Sequence, residues 1–247
     1  MSLELFVELE RPDQGHQLLE QRGAYTVSQH QHYRYLSSGG RAIQGAMNVE
    51  QPMEVQSPVV KAMLEGLALS RSPLKALNLG VGCAAIERFL ADQFPETKVS
   101  SVDVSKDVID MARRHFELPA SALVECAAAE SFVDRCFDSF DVVFCDLAIA
   151  DQPASCLSNL DFQKACHGLL TDGGIFILNL LCDNNADLRD FLLQLRTSFA
   201  WLAVHKVAGF DNVVVYAGLE PPFSEISSES PDQTLTSMAL SSAVILA

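Results

Sequence analysis

The chain has 247 residues, of which 49% are hydrophobic, and a formal net charge of −15 at pH 7. That apolar fraction supports one sizeable α/β core with a small appendage. The acidic balance argues against nucleic acid as a partner, because phosphate binding needs clustered Lys and Arg. It is compatible with cationic ligands such as polyamines, or with solubility alone.

The N-terminus and the cysteines indicate a cytoplasmic protein with no membrane partner. The opening residues lack the layout of a signal peptide, and no apolar run approaches the roughly 20 residues needed to span a bilayer. The seven cysteines form no CxxC motif. We therefore expect reduced thiols and no metal site.

Residues 1–57 predict a small N-terminal β region. Short β-prone runs are separated by Gly, Ser and Gln, which favours hairpins or a meander; the runs are LFVEL, AYTV, HYRYL and AIQGAM. After Ser57, Pro58 suits the first turn of a helix over VVKAMLEGLAL.

Residues 58–220 predict a Rossmann-like domain that binds a nucleoside cofactor. Seven apolar runs read as strands: KALNL, KVSSVDV, ALVECA, FDVVFCDL, GGIFILNLL, WLAVHKV and NVVVYAGL. Helical patterns separate the first six, which implies a parallel sheet with helices on both faces. Only AGFD separates the last two, so they must form an antiparallel hairpin. This is the seven-stranded α/β layout of the class I methyltransferase fold.

Residues 221–247 predict a flexible linker and a C-terminal tail. The linker is rich in Pro, Ser and acidic residues. We expect the apolar tail MALSSAVILA to dock as a helix on the body or on a neighbouring subunit.

A glycine turn followed by an acid points to a nucleoside cofactor. Gly80 and Gly82 lie between the first strand of the domain and its helix, where backbone N–H groups can approach a ligand. Asp103 ends the next strand and is placed to bind a ribose, with Val104 beside it. The alternatives are a turn without a ligand, and a helix cap for Asp103, although Ser105 is the better cap.

Two further acids lie at the same predicted sheet edge. Asp146 ends the strand FDVVFCD, and Asp151 follows in the loop LAIADQP. Ligands of open α/β sheets bind outside the carboxyl ends of the strands. The pair is therefore placed to hold a cationic amine and to accept its proton. The alternative is that they cap the helix that begins near Ala154.

Residues 30–220 resemble the spermidine synthase (polyamine aminopropyltransferase) family, in particular its shorter bacterial members. The matching segments are YRYLSSGGRAIQGAMN, ALNLGVG, VDVSKDVIDMARRHFELP, FDVVFCDLAIAD and LLTDGGIFILNL. The resemblance implies aminopropyl transfer from decarboxylated S-adenosylmethionine to a small amine. It implies that Gln44 reaches the nucleoside, that Asp103 binds the ribose and that Asp146 is the base.

The chain also departs from this family. Cys83 stands where an acid of the family holds the amine of the decarboxylated cofactor, and Cys126-Ala127 replaces a Gly-Asp pair that contacts adenine. These changes leave open an altered acceptor, an S-adenosylmethionine-dependent methyltransferase, or a non-catalytic nucleoside-binding relative. A nicotinamide-dependent dehydrogenase is least favoured, because of the terminal hairpin. The sheet edges of the β region predict a homodimer.

Overall fold

The computed structural model describes residues 9, 15–39, 42–69, 73–149, 152–153, 155–181, 184–220 and 244–246. Residues 5–8 of the predicted run LFVEL, Asp151 and the predicted linker lie outside these residues.

The N-terminal region is a four-stranded antiparallel meander, as the sequence predicts. Its strands are β1 (Gln17–Arg22), β2 (Tyr25–His30), β3 (Tyr33–Ser38) and β4 (Ala42–Asn48), paired in that order. The sequence pattern did not predict β1, whose residues are only partly buried. Val27, Leu36 and Met47 are buried and pack into the core of the following domain.

The second sheet confirms the predicted class I methyltransferase fold. The remaining strands are β5 (Lys75–Leu79), β6 (Lys98–Asp103), β7 (Leu123–Cys126), β8 (Phe140–Cys145), β9 (Ala148–Ile149), β10 (Gln152–Pro153), β11 (Leu170–Leu181), β12 (Trp201–Lys206), β13 (Asn212–Gly218) and β14 (Val244–Leu246). The sheet order is β14-β12-β13-β11-β8-β5-β6-β7, and β9 pairs with β10 separately. Strands β7, β6, β5, β8 and β11 run parallel, whereas β13 is antiparallel to both β11 and β12. The predicted terminal hairpin is thus confirmed.

Helices cover both faces of this sheet. They are α1 (Pro58–Glu65), α2 (Ala85–Gln93), α3 (Lys106–His115), α4 (Ala129–Val133), α5 (Leu160–Gly168) and α6 (Asn185–Leu195). Ser57 caps α1 and Ser105 caps α3, each through its hydroxyl. Among the described helices, none is long and apolar enough to cross a membrane.

Successive residues of the central strands pack into two different cores. Val142 faces the core shared with the N-terminal sheet, and Val143 faces the core shared with α5 and α6. Burial on both faces explains why these strands are continuous apolar runs.

The tail differs from its prediction. In the described part of the tail, Val244–Leu246 forms a strand that pairs antiparallel with Leu202–Val204 of β12, so the expected helix is wrong for these residues. The β-branched pair Val244-Ile245 favours a strand, and the edge of β12 offers unpaired backbone groups.

A buried polar network supports the glycine turn from beneath. The Glu87 side chain is 1% exposed, and its Oε1 accepts hydrogen bonds from Asn78 Nδ2 and Ser101 Oγ, both at 2.7 Å. Asn78 Nδ2 also donates to the Gly80 carbonyl at 2.9 Å. Burial raises the pKa of Glu87, although both side-chain hydrogen bonds oppose the change.

An ionic cluster joins the N-terminal sheet to α3. Glu20 of β1 accepts from Arg22 at 2.7 Å, from Arg114 at 2.6 Å and from His115 at 2.6 Å. Burial alone would raise the pKa of Glu20, but these hydrogen bonds hold it below its usual value. The cluster therefore fixes the N-terminal sheet against the domain that carries the glycine turn.

Candidate active site

A cavity of about 750 Å³ lies between the N-terminal sheet and the carboxyl ends of β5, β6 and β8. Its lining includes six of the seven site residues predicted from the sequence: Gln44, Gly80, Gly82, Asp103, Val104 and Asp146. The seventh, Asp151, lies outside the described residues. The structure thus brings these six residues together around one cavity. Their individual roles stay predictions.

The two glycines of the turn serve different purposes. Gly80 has φ +102°, and a Cβ there would overlap the backbone carbonyl of Asp146. Gly82 has φ +51° and would place a Cβ in open space. Gly80 is thus required by the close approach of the Asp146 backbone, whereas Gly82 leaves room at the cavity.

Asp103 holds the turn and the start of α3 together. Its Oδ2 accepts from Val81 N at 3.0 Å, and its Oδ1 accepts from Ser105 N at 2.8 Å. Burial raises the pKa of the Asp103 carboxyl, and the backbone hydrogen bonds oppose that change. The backbone of Gly82 contributes a third such interaction, and because a carboxylate has about four lone-pair sites, capacity remains for a ligand hydroxyl.

Asp146 is oriented by two asparagines that sequence reasoning missed. Asn179 Nδ2 donates to Asp146 Oδ1 at 2.7 Å, and Asn212 Nδ2 donates to Asn179 Oδ1 at 3.0 Å. All three side chains line the cavity. Burial raises the pKa of Asp146, and the bond from Asn179 opposes the change. A carboxyl with a raised pKa is a stronger base once it is ionised.

Cys83 lies in the joint between β4 and the glycine turn. It is 6% exposed, and burial raises the pKa of its thiol. A Cβ on Gly45 would lie only 2.5 Å from Cys83 Sγ, so β4 approaches the thiol closely. The buried Arg88 donates to the Cys83 carbonyl at 2.5 Å and fixes the backbone of the turn. Cys83 therefore presents a neutral thiol at the position where the sequence comparison with the spermidine synthase family expects an acid.

Glu130, at the start of α4, is a third cavity-lining acid and was also missed from the sequence. It lies close to Cys156, whose thiol pKa is raised to about 11 by burial and by this neighbouring carboxylate. The preceding segment offers no charged side chain, since Ala127, Ala128 and Ala129 line the cavity there. Glu130 is thus the acid that the structure brings to this end of the cavity.

The charge of the cavity has one sign. Of the described lining residues, Asp103, Glu130 and Asp146 are acidic, and none is Lys, Arg or His. Carboxylates in a partly enclosed site attract cations and repel anions. The arrangement suits a positively charged ligand and disfavours a pyrophosphate.

Comparisons with known proteins agree with the fold described above. Residues 76–174 match the family described as "Methyltransferase domain". In structure, the chain is similar to a probable spermidine synthase from Corynebacterium glutamicum, with a TM-score of 0.72 at 17% identity, covering 92% of this chain and 88% of that one. The spermidine synthase-like class I methyltransferase fold is thereby confirmed.

Particular relatives fall into two groups. The polyamine aminopropyltransferase of Neisseria meningitidis serogroup A is 27% identical over 158 residues, covering 62% of this chain and 60% of the relative. The human eEF1A lysine and N-terminal methyltransferase is 28% identical over 203 residues, covering 73% of this chain and 28% of the relative. The chain thus spans about three fifths of the first and just over a quarter of the second.

Proposed function

We propose that the chain is a spermidine synthase-like transferase that moves an aminopropyl group from decarboxylated S-adenosylmethionine to an amine. The observation that carries this proposal is the acidic cavity beside the glycine turn, with its three carboxylates and no basic side chain among the described lining residues. Similarity to aminopropyltransferases supports it.

The charge of the cavity favours the decarboxylated cofactor over the intact one. The decarboxylated form carries a sulfonium and an ammonium and has no carboxylate. The intact form adds a carboxylate, which three nearby acids repel. The neutral Cys83 removes one favourable partner for the ammonium, and the remaining carboxylates still give the cavity a negative potential.

The lining residues divide between nucleoside and reacting centre. We assign Gln44, Asp103 and Val104 to the nucleoside, with Gly80 and Gly82 shaping the turn beneath it. A ribose presents hydroxyl donors, and the remaining acceptor capacity of Asp103 is placed to take one of them. We assign Asp146 to the acceptor amine, and keep for Asp151 the predicted role of a second amine-binding acid.

Asp146 supplies the proton acceptor that the reaction needs. The nitrogen lone pair of the amine forms a bond to the aminopropyl carbon next to sulfur. The C–S bond breaks with its electron pair going to sulfur, and neutral methylthioadenosine leaves. The proton lost by the amine passes to Asp146, which holds it well because its pKa is raised. The cavity holds both partners close together, which supplies the orientation that the displacement requires.

Methyl transfer from S-adenosylmethionine is the second candidate. The match to the methyltransferase family and the similarity to the human eEF1A methyltransferase favour it. In this case Asp146 would receive the proton of an amine that is methylated, and S-adenosylhomocysteine would leave.

A ligand panel separates the candidates. Thermal unfolding is followed with methylthioadenosine, decarboxylated S-adenosylmethionine, S-adenosylmethionine and NAD. A ligand at 100 times its dissociation constant adds about 2.7 kcal/mol, which is roughly 5–10 °C for a domain of this size. We expect the decarboxylated cofactor and methylthioadenosine to give the largest shifts. A larger shift with the intact cofactor would instead favour methyl transfer, and no shift with any nucleoside would favour a non-catalytic relative without a nucleoside site.

Matched variants make the ligand panel specific. Asp103→Asn should abolish most of the shift, because the amide keeps one acceptor oxygen and replaces the other with an N–H donor. Asp172→Asn makes the same change at an exposed position of β11 and should leave the shift intact. Asp146→Asn should retain nucleoside binding and lose release of methylthioadenosine by at least 100-fold, within the range for a general base.

A further inference from the structure

The residues that line the cavity follow the order of the strands along the edge of the sheet. Asp146 follows β8, Gly80 follows β5, Asp103 ends β6 and Ala127 follows β7, and these four strands are neighbours in that order. Adjacent strands lie roughly 4.8 Å apart, so the end of β7 is about 14 Å from the end of β8. The cavity therefore extends from Asp146 at one end to the segment between β7 and α4 at the other.

The proposed function fixes the direction of the nucleoside along this row. Asp146 is assigned to the acceptor amine and so marks the reacting carbon, and Asp103 is assigned to the ribose. Sulfur is attached to one side of the ribose through C5′, and the base is attached to the other side through C1′. With sulfur toward Asp146, the base extends past Asp103 toward β7 and α4.

The segment between β7 and α4 presents small apolar side chains followed by a carboxylate. Residues 127–129 are alanines that line the cavity, and Glu130 follows them in the first turn of α4. The Ala127 N–H donates to the Asp103 carbonyl at 3.0 Å, which holds this segment beside the acid assigned to the ribose. Val104 also lines the cavity and is 68% exposed, so its apolar side chain is free to pack on a flat ring.

The position of the Glu130 carboxylate follows from its contact with Cys156. Burial and this neighbouring carboxylate raise the pKa of the Cys156 thiol to about 11, and the thiol donates a hydrogen bond to the carboxylate. Cys156 belongs to the single turn Ser155–Ser158 and lines the cavity as well. The Glu130 carboxylate therefore lies at the cavity, between α4 and this turn. Because a carboxylate has about four lone-pair sites, the bond from the thiol leaves acceptor capacity for a ligand.

We propose that Glu130 selects the base of the nucleoside; the inference rests on the proposed function. Its carboxylate accepts a hydrogen bond from an amino group on the edge of the base, such as the 6-amino group of adenine, while Val104 packs on the ring. A base with a carbonyl oxygen at that position, such as hypoxanthine, would place an acceptor against the carboxylate. The amino base gains a charge-assisted hydrogen bond, whereas the oxo base is repelled. The selecting acid thus comes from α4, and not from the Cys126-Ala127 position where the spermidine synthase family has its Gly-Asp pair.

The test compares the binding of two nucleosides to the full chain by calorimetry. Methylthioadenosine carries an amino group at C6 of the base, and methylthioinosine carries a carbonyl oxygen there. A hydrogen bond to a charged group corresponds to about 10- to 150-fold in affinity, and we expect methylthioadenosine to bind more tightly by a factor in this range. Equal binding of the two would overturn the inference and leave the proposed function standing. Binding of neither nucleoside would refute both.

Glu130→Gln tests the assigned residue. The amide offers one acceptor and one donor group, so it can pair with either base, and the ratio of the two dissociation constants should approach one. Glu125→Gln makes the same change at an exposed residue of β7 that pairs with Arg135, and it should leave the ratio as in the unaltered chain. Circular dichroism verifies that both variants fold.

Two results with the Glu130 variant would also overturn the inference. An unchanged ratio together with lower thermal stability would show that Glu130 only stabilises the first turn of α4. An unchanged ratio together with a raised KM for the acceptor amine, in the assay for release of methylthioadenosine, would assign Glu130 to the acceptor instead of the base.

Discussion

Replacing Asn179 by Leu tests whether this side chain sets the ionisation of Asp146. Asn179 Nδ2 donates to Asp146 Oδ1 at 2.7 Å, and this bond favours the ionised carboxylate against the burial that raises its pKa. Leu has a similar size and cannot donate, so the pKa of Asp146 should rise further. The catalytic base would then be lost at a higher pH than in the unaltered chain.

The size of the effect follows from the bond that is removed. A hydrogen bond to a charged group contributes about 1.5–3 kcal/mol, and each 1.4 kcal/mol is about a factor of ten in an equilibrium constant. On the acid side of the pH profile, where most Asp146 is protonated, the ionised fraction should fall by about 10- to 150-fold. At alkaline pH, where Asp146 is ionised in both proteins, this cause of the difference disappears.

The assay is the pH profile of kcat/KM for release of methylthioadenosine, with thermal unfolding at each pH to verify folding. The acid limb should move to higher pH in Asn179→Leu, and Asn185→Leu at an exposed position of α6 should leave it in place. A carbon-13 titration of the Asp146 carboxyl reads the same change without turnover. Coincident acid limbs and coincident titrations in the two proteins would refute the assigned role of Asn179.

Three other predictions concern stability, each measured by urea unfolding. The folded-state pKa of Glu87 is raised, so its stabilising contribution is complete below pH 4.5 and is lost as the pH rises through the folded value; Glu87→Gln should remove this dependence, and its persistence would contradict the assignment. The pKa of Glu20 is lowered, so its stabilisation is present above pH 4.5 and is lost as the pH falls through the folded value. Glu20→Gln should therefore cost about 1 kcal/mol at pH 7, and less in high salt; a salt-independent cost would count against ion pairing. Gly45→Ala should cost about 1–3 kcal/mol by overpacking, and adding Cys83→Ala should recover part of it, whereas strictly additive losses would show that the two sites do not touch.

The fold was predictable because its signals are local. Alternating apolar runs and helical patterns define the parallel strands, and the short AGFD connection demands the terminal hairpin. Pro58 and Ser105 marked helix starts by their own chemistry. Strand β1 was missed because the sequence QLLEQR has little β-prone pattern. It forms a strand because it pairs with β2, and this contact is not visible in the sequence.

The site was predictable only where a residue ends a strand or lies in a turn. Asp103 and Asp146 follow apolar runs at one sheet edge, which is visible in the sequence. Asn179 reads as part of the buried run IFILNLL, although a polar residue near the carboxyl end of such a strand is a usable signal. Asn212 could not be linked to it, because their contact depends on the register between β11 and β13.

The glycine turn by itself carries less functional information than the acids around it. Gly80 is required by the approach of the Asp146 backbone, so it would be needed even in a protein that had lost its ligand. The acids are different, because burial raises the pKa of both Asp103 and Asp146 and so makes their ionised forms costly. Asp103 has a structural reason to be present, since it ties the glycine turn to the start of α3, but packing gives no such reason for a carboxylate at Asp146. A bound cation gives such a reason, because it stabilises the ionised forms and recovers the electrostatic cost on binding.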